Sequence, residues 1–156
     1  MAHPFIRVPL RRLNRPGCDI IRIDLDLDVQ GEGSRYYRLP FRVDSASDFT
    51  TIPISMAASL NIPFATDCPV YPHTAAGKAQ KPSYLSPIAF VFPGLAQLRF
   101  ERLAIFSPYA LKTSLLSIGD LVPNFVIRFP VSTMGFPDGC AVLQLRPHHQ
   151  GSTRHS

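Results

Sequence analysis

An all-β fold is what this sequence predicts: short strands and turns closing as a barrel or sandwich around one core. Three observations predict it. Proline accounts for 16 of the 156 residues, about twice the usual ~5%. Each proline removes a backbone donor and interrupts helices, which excludes a helical bundle. Two stretches, residues 21–29 and 37–43, alternate between apolar and polar side chains, the period of a half-buried strand. Apolar residues make up 46% and charged residues 17% of the chain, the balance of a globular protein and not of a disordered one. The length suits one domain and excludes a bilobal enzyme built from two domains of this size.

The elements follow in chain order. Residues 1–17 form a basic, proline-containing arm with Arg7, Arg11, Arg12 and Arg15. No apolar stretch of the kind found in a secretory signal follows it. Ile21, Ile23, Leu25, Leu27 and Val29 then define a dry face, and Arg22, Asp24, Asp26 and Asp28 a wet one. Gly31-Glu32-Gly33-Ser34 reads as a turn. Tyr37, Leu39, Phe41 and Val43 continue the dry face on a return strand, with Arg38 and Arg42 behind them. Pairing Gln30 with Tyr36 sets Asp28 against Arg38 and Asp24 against Arg42. Each such pair adds from a few tenths to ~1 kcal/mol, and the same register places apolar against apolar.

Asp44-Ser45-Ala46-Ser47-Asp48 has no large apolar side chain. Residues 49–53 are short and β-prone, and residues 55–60 read as a small helix with Ser55 as its N-cap. Residues 63–82 read as loop. Residues 84–92 alternate again through Ile88, Phe90 and Phe92, and residues 98–106 form another apolar stretch. A short apolar run at 115–118 enters Gly119-Asp120, and residues 125–129 and 141–145 are late strands. The polar, His-containing tail at 147–156 is expected to be disordered. There is no internal repeat, so residues 18–146 form a single domain.

Several kinds of chemistry are poorly supported. The Asp24–Asp28 run lacks the Gly and Glu of a calcium loop, whose places hold Val29 and Arg35. Gly77-Lys78 lacks the remaining phosphate-loop residues, with Pro72 and Ala79 in their places. No Gly-x-Ser-x-Gly exists for a serine hydrolase, and four of the five histidines lie in terminal segments. A His148/His149 metal site is outweighed by a solvated tail, and no metal or cofactor is expected. Cys18, Cys68 and Cys140 lie far apart and odd in number, which suggests neither disulfides nor zinc but free thiols in a reducing cytoplasm. No apolar run approaches the ~20 residues of a membrane-spanning helix.

Asp44 remains. It ends a dry strand and precedes small residues, which allow another backbone to approach closely. A carboxylate so placed is partly desolvated, as functional carboxylates often are. The plain alternative is an Asx-type turn at a strand end.

The residues around Asp44 resemble a known family. Phe41-Arg42-Val43-Asp44-Ser45-Ala46-Ser47 is similar to the hydrophobic-x-hydrophobic-Asp-[Ser/Thr]-Gly-[Ala/Ser] signature of retropepsin-like aspartic proteases of the single-domain, bacterial type. Thr51-Ile52-Pro53, the helix at 55–62, a flap tip at Thr74-Ala75-Ala76-Gly77-Lys78 and the Leu115-Leu116-Ser117-Ile118-Gly119-Asp120 segment follow in the family's order, over about residues 20–145. Ala46 stands where the family has Gly, and Ser117 takes the Gly place after Leu115-Leu116 unless Ile118-Gly119 is the counterpart. Glycine serves where backbones approach closely, so a Cβ at Ala46 crowds a substrate or alters the loop.

The resemblance implies a closed β-barrel with one short helix and half an active site per chain. Asp44 is the catalytic residue it implies, supported by Ser45, Ala46 and Ser47. His73, Ala76, Gly77 and Lys78 belong to a substrate-binding flap spanning 73–81, and Leu116, Ser117, Ile118 and Gly119 to a loop beside the cleft. One chain supplies one aspartate, so the chemistry requires a homodimer acting on a peptide or protein, with no nucleic acid or membrane partner. A dimerising or peptide-binding module of the same fold, with Ala46 marking lost catalysis, is the alternative. The net charge of +5 weakly favours an unrelated nucleic-acid-binding β-domain, but no aromatic-and-basic motif supports it.

Overall fold

The basic arm is a strand. In a computed structural model that describes residues 5–74, 77–95, 98–129 and 140–147, β1 (Phe5–Arg15) lies antiparallel to β2 (Cys18–Gln30). Arg7 is exposed between two apolar residues that reach the core, where Val8 is buried and Ile6 packs against it. A 3-10 turn, Glu32–Ser34, then reverses the chain into β3 (Tyr36–Asp44) in the expected register, Gln30 opposite Tyr36. Arg38 donates to both carboxylate oxygens of Asp28 at 2.8 and 3.1 Å, and Arg42 Nε donates to Asp24 Oδ1 at 3.2 Å. Leu27, Val29, Leu39 and Phe41 are buried behind them. Gly31 opens the turn because nothing larger fits: a Cβ there would lie 2.5 Å from the Tyr37 ring and 3.0 Å from the Asn61 carbonyl oxygen.

The remaining elements are β4 (Thr50–Pro53), α1 (Ile54–Ser59), β5 (Pro69–Val70), β6 (His73–Thr74), β7 (Gly77–Lys78), β8 (Ser83–Val91), β9 (Arg99–Ser107), β10 (Ser114–Ser117), α2 (Ile118–Leu121), β11 (Phe125–Arg128) and β12 (Cys140–Leu145). Two expectations change. Pro53, extended at φ −62° and ψ 132°, occupies the N-cap of α1, so Ser55 lies inside the helix and caps nothing. Residues 63–82 are not all loop, since β5 and the β6–β7 hairpin lie among them. The tail from residue 148 on, with His148 and His149, lies outside the described residues.

One sheet runs in the order β11-β12-β1-β2-β3-β10-β4-β9-β8-β5, and β8 also pairs back onto β2. Two contacts in it are parallel, β3 with β10 and β4 with β9. Strands of nine to thirteen residues coexist with the high proline content because of where the prolines fall. Pro9 sits where β1 changes partner from β12 to β2, and Pro40 just before β3 meets β10. Pro87 lies between the segments of β8 that pair with β5 and with β2. At each of the three the missing N–H falls where the ladder on one side begins, ends or is lacking. Phe90, Phe92, Phe100 and Phe125 pack as a cluster of rings, with Phe92 edge-on to Phe125 at 4.8 Å, and tie β11 to β8 and β9.

Candidate active site

Asp44 is the last residue of β3 and pairs in parallel with Ser117, the last residue of β10. Beyond this point β10 turns into α2, and the segment after Asp44 has no large apolar side chain before Phe49, so the ladder ends. The loop after Asp44 is held by side chains instead. Ala46 N donates to Asp44 Oδ1 at 2.9 Å, the bond of an Asx-type turn. Ser47 Oγ donates to the Phe49 carbonyl at 2.6 Å. Ala46 does not need the left-handed backbone that favours glycine: among described non-glycine residues only Ser34 and Asn61 have positive φ. The extra Cβ is therefore carried without backbone strain.

Behind the loop lies a buried polar network. Ser117 Oγ donates to the Ser47 carbonyl at 2.6 Å and accepts from Gly119 N at 3.1 Å, which also caps α2. Ser117 N donates to Thr50 Oγ1 at 3.2 Å, and Thr50 Oγ1 donates to Asp120 Oδ2 at 2.5 Å. Arg102 Nε stands 3.7 Å from the other oxygen of Asp120. Thr50 and Ser117 are fully buried, so these bonds satisfy groups that water does not reach.

In front of the loop opens a groove of about 650 Å³. Asp44 lies in its wall, half-buried, with Thr51, Ile105 and Leu115 forming an apolar face. Val70, Tyr71, Pro72, His73 and Ala79 also line the groove, from β5, the β6–β7 hairpin and the residues beside them. That hairpin pairs His73 with Lys78 and Thr74 with Gly77. Its base is fastened by Ala79 N to the Pro72 carbonyl at 3.0 Å, and by the Gln80 and Lys81 amides, each 3.0 Å from Tyr109 Oη.

A solved structure shares this arrangement of strands. A retropepsin-like aspartic protease from Rickettsia conorii matches the chain with a TM-score of 0.58 over 91% of each chain, at 14% identity. The chain has the retropepsin-like fold. No family model matches its sequence, and no curated protein matches it significantly.

Within the retropepsin-like fold the expected site residues that are described divide into three groups. Asp44, Ala46, Ser47 and His73 line the groove, and Ser45 is exposed on the same loop. Gly77 and Lys78 are exposed on the hairpin, with Lys78 Nζ 5.5 Å over the Tyr71 ring, and Ala76 lies outside the described residues. Leu116, Ser117, Ile118 and Gly119 stand behind the Asp44 loop and not in the groove. Strand alternation explains this, for it sends Leu115 to the groove and the neighbouring Leu116 into the core. Ile118 and Gly119 already belong to α2, so Ser117 is the residue beside Asp44. Nothing in the sequence marks Thr50, Arg102 or Tyr109, and Asp120 enters only as the end of the 115–120 segment, with no role of its own. Thr50 was legible only as one polar residue in a β-prone run, with nothing to indicate its partner.

Proposed function

We propose that this protein is an aspartic endopeptidase, active as a homodimer, that hydrolyses peptide bonds with a water activated by two Asp44 carboxylates. The observation that carries the reading is the position of Asp44. It ends a strand, half-buried, in the wall of an apolar groove, beside a loop whose Ser45 is exposed. A two-fold axis next to that loop sets Asp44 against its copy, and the ring of pairings from β2 through β8 fits a closed barrel behind it. Two carboxylates ~3 Å apart share one proton and titrate as a pair. Ala46 N occupies Asp44 Oδ1, which leaves Oδ2 for the water.

The ionised carboxylate takes a proton from the water as its oxygen attacks the carbonyl carbon. The protonated carboxylate gives its proton to the carbonyl oxygen. The tetrahedral intermediate then collapses: the C–N bond breaks, the departing nitrogen takes a proton from the pair, and a hydroxyl of the intermediate returns its own proton to the pair as the carboxyl product forms. Ser45 braces the pair across the dimer. The 73–81 hairpin closes over an extended peptide whose hydrophobic side chains meet Ile105, Leu115 and Val70. The Cys68 thiol, free and exposed, accords with a reducing cytoplasm.

Digestion of a peptide library between roughly pH 3 and 7, where a carboxylate pair titrates, tests the reading. Wild type cleaves best at mildly acidic pH, and Asp44→Asn loses about 10²- to 10⁴-fold. Equal cleavage by the two proteins refutes it. The Ala46 Cβ in the groove wall favours a second reading, a dimer of the same fold without turnover. Under that reading wild type sediments as a dimer and cleaves nothing, and Ala46→Gly restores cleavage.

A further inference from the structure

We infer that Ser117 is a positioning residue whose buried hydroxyl fixes the loop that carries Asp44. The backbone ladder between β3 and β10 pairs Phe41 with Ser114 through to Asp44 with Ser117 and stops there. It holds the Asp44 Cα but not the residues after it, and those residues set where the carboxylate points, because Ala46 N is bonded to Asp44 Oδ1. Ser117 extends the grip beyond the end of the ladder. Its hydroxyl reaches the Ser47 carbonyl at 2.6 Å, while its amide reaches Thr50 Oγ1 at 3.2 Å. One residue thus holds the 45–50 loop at two points, Ser47 and Thr50. Ser117 is itself held, since its Oγ accepts from Gly119 N and Thr50 donates to Asp120, which faces Arg102.

Side chain and burial match this role. A glycine or alanine at 117 would pass beside Asp44 equally well but would leave the Ser47 carbonyl and the Gly119 amide without the hydroxyl. Ser117 is fully buried, so no water replaces it freely. It does not touch the groove, so it acts through the loop. Its importance for activity rests on the peptidase reading, because two carboxylates must meet within a few tenths of an ångström of their working geometry.

The test compares Ser117→Ala with Ser114→Ala in the full-length protein. Ser114 is a control in the same strand, equally buried, whose hydroxyl meets Met56 Sδ at 3.4 Å and no part of the Asp44 loop. In wild type the Ala46 and Gly119 amides are protected from hydrogen exchange. In Ser117→Ala both exchange about tenfold faster, and in Ser114→Ala neither changes. Where wild type cleaves peptide, Ser117→Ala lowers kcat about tenfold, leaves KM within twofold and shifts the limbs of the pH profile, while Ser114→Ala does none of these. Ser117→Thr, which keeps the hydroxyl, retains the wild-type exchange pattern. The inference is overturned by an unprotected Ala46 amide in wild type, by unchanged exchange in Ser117→Ala, or by the same change in Ser114→Ala. The wild-type measurement decides even if the alanine variant fails to fold. A wild type without peptidase activity removes the peptidase reading and leaves the exchange comparison to decide the role of Ser117.

Discussion

The β2–β3 hairpin and the crossing of β3 with β10 sit side by side in one sheet, yet they are held in different ways. The hairpin joins residues 6 to 18 positions apart through a continuous ladder, with ion pairs on its wet face and buried leucines on its dry one. The crossing joins residues about 70 positions apart through a four-residue parallel ladder, followed by bonds between side chains and backbone. A local antiparallel pair can be secured by alternation alone. A distant pair that must end at a functional carboxylate needs hydroxyls to continue where the ladder stops.

Both regions depend on the core, and emptying it gives the largest expected effects. Phe41, 1% exposed in β3, and Leu116, 0% exposed in β10, lie on neighbouring strands. Phe41→Ala should cost about 3–5 kcal/mol and Leu116→Ala about 2–5 kcal/mol, read from urea unfolding midpoints. The comparison breaks if Leu116→Ala costs less than about 1 kcal/mol, because the crossing would then rest on its polar bonds alone.

The hairpin was legible down to individual pairs. Asp28 with Arg38 and Asp24 with Arg42 follow from period two and the turn at Gly31, since both faces agree on one register. The position of Asp44 at the end of a dry strand was legible for the same reason. Which strand lies on its other side was not. The apolar run at 115–118 does not show which of Leu115 and Leu116 faces inward, and parallel neighbours are chosen by how the whole sheet closes, a choice that no local pattern records. The polar network was hidden for a related reason. Thr50, Ser117 and Asp120 are ordinary residues until the crossing brings them within 2.5 to 3.2 Å of one another. The arm was misleading in the opposite sense: its arginines are conspicuous, while Ile6 and Val8, which bind it into the sheet, are not.

Intermediate effects belong to that network. Thr50→Val keeps the shape of the side chain and removes the hydroxyl, so Ser117 N loses its acceptor and Asp120 Oδ2 its donor in a buried place. The expected loss is about 1–3 kcal/mol, the cost of leaving buried polar groups unmet. The variant should also loosen the Asp44 loop, visible as faster exchange at Ala46. A neutral Thr50→Val would mean that the crossing is held by packing and its ladder, as the hairpin is.

The smallest effect is expected on the wet face of the hairpin, where it sharpens the contrast most. The Arg38–Asp28 pair has good two-pronged geometry, and the bond to Asp28 raises the Arg38 pKa above its ordinary value. Yet the Arg38 side chain is 60% exposed, so water and salt compete for both charges. Arg42–Asp24 is more sheltered, at 33% and 25%, but Asp24 also faces Arg11 at 3.5 Å, so removing one arginine leaves it partnered. A double-mutant cycle on Arg42–Asp24 should return a coupling of about 0.2–1 kcal/mol, and one on the more exposed Arg38–Asp28 pair a weaker coupling. The couplings should shrink further between ~0.1 and ~1 M salt as the screening length falls. A coupling above about 2 kcal/mol that survives salt would reverse the contrast, for the wet face would then hold the hairpin as firmly as Thr50 and Ser117 hold the crossing.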